Sequence, residues 1–138
     1  MNKSFFITFT AILFIGCSKN DDNTNNTPTI TGNWYFKETV VNGTTYPYDD
    51  HETCGKDYLE FYGTYGVQSI DIFGCEVDVD WTGTYTLNGS ILTITNANVN
   101  ETIICEVLEL TSNSLIYKFN YDTNGDGTPE TNISKFDR

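Results

Sequence analysis

Residues 31–138 predict an all-β domain, on three observations. Short runs rich in Val, Ile, Thr, Tyr and Phe recur at regular spacing, Gly, Asn and Asp separate them, and no window carries helical periodicity. That pattern belongs to a barrel or a sandwich. Strands are expected near 32–41, 57–62, 66–73, 76–87, 91–96, 102–110, 114–121 and 131–136. About eight strands make a barrel whose interior either fills with side chains or holds one small ligand.

The alternation is clearest in Glu76-Val77-Asp78-Val79-Asp80-Trp81, where Val77, Val79 and Trp81 are expected on one buried face and the three acids on a wet one. Leu59 with Phe61, Tyr85 with Leu87, Leu92 with Ile94, and Leu115 with Tyr117 and Phe119 repeat the rule. Asn88-Gly89 reads as a hairpin turn, because both residue types tolerate the positive φ of a type I′ turn. Gly83 interrupts a long strand and is expected to mark a bend that helps the sheet curl.

The N-terminus has a different composition. Met1 to Gly16 carry Lys3, then an apolar run from Phe5 to Ile15, and end in a small residue before Cys17. The run is shorter than the ~20 residues a spanning helix needs and is followed at once by Ser18-Lys19-Asn20-Asp21-Asp22, so it predicts a removed secretory segment. Leu13-Phe14-Ile15-Gly16-Cys17 resembles a bacterial lipoprotein signal, which implies lipidation of Cys17, and the residues after it resemble the export tag of Bacteroidetes surface lipoproteins. The expected organisation is a signal peptide over 1–16, a lipidated cysteine and flexible tether over 17–30, and one β domain over 31–138. The expected location is the outer membrane, anchored by lipid, with exposure at the cell surface.

The chain holds 7 Lys+Arg against 19 Asp+Glu, net −12. Such a surface repels nucleic acid phosphates and argues against a nucleic-acid partner. A monomer is expected. If Cys17 is lipidated, Cys54, Cys75 and Cys105 remain, which in an oxidising compartment means one pair and one leftover. Cys54 lies in a polar loop and Cys75 follows Gly74 at a strand junction, whereas Cys105 sits in the apolar run Ile103-Ile104-Cys105-Glu106-Val107. Cys54 with Cys75 is the expected bridge, leaving Cys105 as a small buried hydrophobe; Cys54 with Cys105 is the alternative.

At Gly32-Asn33-Trp34 the first strand resembles the lipocalin signature, and with the cysteines, the Trp81–Ile94 stretch and Leu108–Leu115 the chain resembles the lipocalin-like domain of Bacteroidetes lipoproteins from about residue 30 to 138. The resemblance implies an all-β, eight-stranded antiparallel up-and-down barrel. It also implies that Gly32 and Trp34 plug the closed end under a basic side chain near the C-terminus, for which Lys135 and Arg138 are the candidates. By analogy, it implies a cavity for an apolar small molecule. Phe61, Trp81, Tyr85 and Tyr117 are the candidate ligand-binding residues, although aromatic core packing accounts for the same positions.

Asp122-Thr123-Asn124-Gly125-Asp126-Gly127-Thr128-Pro129-Glu130 has the D-x-N-x-D-G start of a calcium loop. Asp122, Asn124, Asp126 and Glu130 could supply the oxygens that Ca²⁺ wants. Ile133 holds the position of the bidentate Glu of an EF-hand and the loop joins strands, so only a looser calcium hairpin fits; Asn-Gly and Asp-Gly also serve as plain turn formers. Catalysis finds little support: His51 lies in the polar run Tyr48-Asp49-Asp50-His51-Glu52 with no nucleophile motif nearby. The expected function is a noncatalytic binding or accessory module of the envelope. The alternative is a structural or adhesive module, stabilised by calcium, that meets a protein or glycan.

Overall fold

The computed structural model describes residues 28–49 and 53–138. The chain runs through β1 (Gly32–Val41), β2 (Thr44–Pro47), β3 (Tyr58–Tyr62), β4 (Gly66–Phe73), β5 (Glu76–Asn88), β6 (Ile91–Asn96), β7 (Glu101–Leu110), β8 (Ser114–Tyr121) and β9 (Glu130–Asp137). All pairings are antiparallel. β1 pairs with β9 as well as β3, so β1 and β3 to β9 close an eight-stranded up-and-down barrel. Every predicted strand is present, with ends within one residue of the expected bounds.

β2 is not among the expected strands. Asn42 and Gly43 adopt φ 47° and 86° between the paired residues Val41 and Thr44, a two-residue turn that sends β2 back along the outer half of β1. The other expected Asn-Gly turn is shifted by one residue. Asn88 pairs with Ile91, so the loop is Gly89-Ser90, and only Gly89 (φ 60°) takes positive φ, as in a type II′ turn.

Bulges in β1, β5 and β7 interrupt the register and bend the strands around the barrel. The β5 bulge also overturns an expectation. Trp81 pairs with Ser69, but Val79 pairs with the next residue, Ile70, and Val77 with Ile72. Successive β4 residues point to opposite faces, so Trp81 turns inward while Val79 and Val77 turn outward, at 46% and 67% exposure. Ile72 on that outer face is covered by the chain at Gly55, where an added Cβ would lie 3.3 Å from its side chain. Gly83 is more than a bend: a Cβ there would meet the Thr95 carbonyl oxygen of β6 at 2.0 Å.

Strand direction gives the barrel two unlike ends. At one lie the start of β1, the C-terminus and the β3–β4, β5–β6 and β7–β8 turns. This end is packed solid by Ile30, Trp34, Phe61, Val67, Leu92, Leu115 and Phe136, all buried. The Trp34 indole N–H donates to the Ile30 carbonyl at 2.6 Å, and the Arg138 guanidinium stands 4.0 Å from the ring centroid while donating to the Thr31 carbonyl. Gly32 is required beneath it, with φ 121° and space for a Cβ only 2.9 Å from Arg138 Nη2. Lys135 does not join this plug. One residue short of Phe136, it points outward and pairs with Glu38 at 2.6 Å.

Candidate ligand-binding site

The opposite end of the barrel is open. Here β3 stops short of its neighbours, and Asp57 fills the gap in the ladder. Its backbone carbonyl accepts the Phe36 N–H, and its carboxylate accepts the Ile72 N–H at 2.7 Å and the Tyr48 hydroxyl. Tyr48 stacks on Phe36, with ring centroids 5.0 Å apart. A Cys54–Cys75 disulfide, Cα to Cα 5.6 Å, fastens the same loop to the β4–β5 turn, and Cys105 is left free and buried. The gap in the wall is therefore sealed by aromatic stacking, a buried carboxylate and a covalent tie.

Below this rim lies a cavity of about 140 Å³ lined by Leu59, Trp81, Ile94, Asn96, Glu101, Ile103, Cys105 and Tyr117. The lining follows from register. Ile94 pairs with Ile103, and two residues toward the rim Asn96 pairs with Glu101, so the four share the inward face of the β6–β7 hairpin. The floor and walls are apolar and aromatic; the polar groups are gathered at the mouth. A larger depression of about 390 Å³, around Tyr62, Tyr65 and Gly83, is an open groove on the outside of the closed end.

Of the four candidate ligand-binding aromatics, Trp81 and Tyr117 line the cavity. Phe61 and Tyr85 do not: they pack edge-to-face at 5.0 Å in the filled half of the barrel. The missed lining residues were signalled by the same alternation in β6 and β7 that identified these strands, once Ile94 and Ile103 are placed opposite each other. Burial pushes the Cys105 thiol up to about 12, so it stays protonated and is a poor nucleophile. Burial likewise raises Tyr117, with the neighbouring Cys105 adding to the effect and a hydrogen bond with Ser134 opposing it.

The β8–β9 loop brings oxygens of Asp122, Asp126 and Glu130 within 4.8 Å of one another. Asp122 accepts the amides of Gly125, Asp126 and Gly127, at 2.6, 3.2 and 2.8 Å. Glu130 accepts Thr123 N and Oγ1 and the Asn124 side-chain amide, which commits Asn124 Nδ2 to holding Glu130. Cys17, the segment 1–16 and His51 lie outside the described residues.

A family model described as a lipocalin-like domain matches residues 30–117. Among solved structures, a lipocalin-like protein from Bacteroides uniformis is similar with a TM-score of 0.56 and 17% identity, over 78% of this chain and 96% of that one. An uncharacterised protein from Bacteroides eggerthii gives 0.53 and 14%, over 78% and 98%. Lobster apocrustacyanin A1 gives 0.51 and 22%, over 84% and 64%. No curated protein matches the sequence.

Proposed function

Because the chain belongs to the lipocalin-like domain family, we propose that it is a noncatalytic, lipid-anchored envelope protein that binds a small apolar ligand in the open half of its barrel. The cavity is the observation that carries this reading. Its volume of about 140 Å³ is close to that of a cavity that admits benzene, ~150 Å³, and well below the ~300 Å³ at which drug-sized pockets begin. The ligand, or the part of it that enters, is therefore one ring or a short alkyl chain. Catalysis is not part of the reading, since the one thiol in the cavity is held protonated and is a poor nucleophile.

Trp81 lines the cavity and Trp34 is sealed in the closed end, so intrinsic fluorescence reports on the site. Titration with 2-phenylethanol or hexanol is expected to shift the emission of the wild type but not of Trp81→Phe, while retinol and haem, too large to enter, leave both unchanged. No response to any small apolar probe would end the carrier reading.

A second reading, a structural or adhesive module that meets a protein or glycan, is favoured by the outward Val77 and Val79 and by the convergent β8–β9 oxygens. On this reading the loop takes Ca²⁺ with a dissociation constant on the order of 10⁻⁴ to 10⁻³ M, the range of extracellular modules. Calorimetry should give Ca²⁺ heat with the wild type and none with Asp126→Ala. A wild type without heat leaves Asp122 and Glu130 as caps of their own loop.

A further inference from the structure

Three of the strands that descend from the open end begin with a glutamate, Glu76 in β5, Glu101 in β7 and Glu130 in β9, whereas β2 and β3 begin with Thr44 and Tyr58. Of the described basic residues, Lys56 precedes Asp57 in the loop at this end, and the others are placed elsewhere. Lys37 pairs with Asp137, Lys118 with Glu106 and Lys135 with Glu38, all between side chains at least partly exposed, and Arg138 is bound to the plug at the closed end. Glu101 is the only charged residue of the cavity lining, and among the described residues no basic side chain pairs with it. With a net charge of −12 behind it, the mouth presents a negative potential to whatever enters.

We infer that the cavity selects small organic cations, a primary or substituted ammonium carrying one ring or a short alkyl chain. The inference rests on the proposed binding role and deepens it. The apolar group fits between Ile94, Ile103 and the aromatic walls, where its burial supplies affinity. The ammonium remains at the mouth, where the Glu101 carboxylate accepts a charge-assisted hydrogen bond. A carboxylate in the same place would face Glu101 with no counter-ion and lose the hydration it had in water. Fatty acids and other apolar anions are thus disfavoured by charge, apart from any limit of size.

Three probes of near-equal shape test this: phenethylamine, 2-phenylethanol and phenylacetate, titrated into the wild type and Glu101→Gln by calorimetry and fluorescence. The amine should bind the wild type about tenfold more tightly than the alcohol, the scale of one hydrogen bond to a charged group, and phenylacetate should bind most weakly. Glu101→Gln should bring the amine close to the alcohol. Raising salt from about 50 mM to about 500 mM should weaken the amine more than the alcohol, as screening requires. If the alcohol binds as tightly as the amine, or if Glu101→Gln keeps the amine preference, charge selection is wrong while the binding role survives. If none of the three binds, the binding role falls and this inference with it.

Discussion

Cys105 and Tyr117 both face the cavity, and burial holds the protons of both, with the thiol pushed up to about 12 and the phenol raised above its usual range. In an unfolded chain the same groups titrate near ~8.5 and ~10. Above those values the unfolded state sheds protons that the folded state keeps, so the stability these groups contribute is complete below about pH 8.5 and drains away as pH rises toward 12, with a limiting slope of ~1.4 kcal/mol per pH unit per group. The urea midpoint should therefore fall between about pH 9 and 11 in the wild type and fall less steeply in Cys105→Ala and Tyr117→Phe. Equal slopes in all three proteins would mean that neither proton is held by the fold. The distinction among the aromatics was not legible from alternation alone. Phe61, Trp81, Tyr85 and Tyr117 all read as inward, and they are; what separates them is height along the barrel axis, and that depends on which residues lie opposite one another across several strands.

Strand by strand, period-two patterning was enough to place the barrel because one face of each closed strand is wet and the other dry. It failed where that condition lapsed. Val77 and Val79 alternate with acids as cleanly as any pair in the chain, but they lie beyond a bulge, which moves them to the outer face of an arm. Asn42-Gly43 carries the same turn chemistry as Asn88-Gly89 and could have announced β2, whose four residues are too short and too exposed to show a pattern. Gly83 illustrates a constraint that no single strand contains. It is paired with Val67 on one side and Asn96 on the other, and its missing side chain leaves room for the Thr95 carbonyl. Gly83→Ala puts a methyl where backbone already stands, so chemical denaturation should show a loss of ~2 to 3 kcal/mol, in the range of overpacking. Gly89→Ala meets nothing within 4 Å and should cost only the strain of its positive φ, ~1 to 2 kcal/mol. The reverse ranking would mean that the two strands part easily at Thr95.

The two ends of the barrel give the whole molecule a direction. Residues 28–31 enter β1 at the closed end, where Ile30 is buried and its carbonyl is held by Trp34, so a tether leading back to Cys17 departs from that end. On the proposed reading Cys17 carries the lipid. The anchor then joins the barrel at the plug end, and the acidic mouth with Glu101 lies at the opposite end. On that reading the Arg138 plug lies at the tethered end, and the glutamates that open β5, β7 and β9 lie at the far end; anionic headgroups would repel them. This arrangement depends on acylation at one atom, the Cys17 thiol. Cells grown with a clickable fatty acid should incorporate label into the wild type and none into Cys17→Ala, and the variant should shift from the membrane fraction to the soluble one. Equal label in the two proteins, or none in the wild type, would detach the barrel from the membrane.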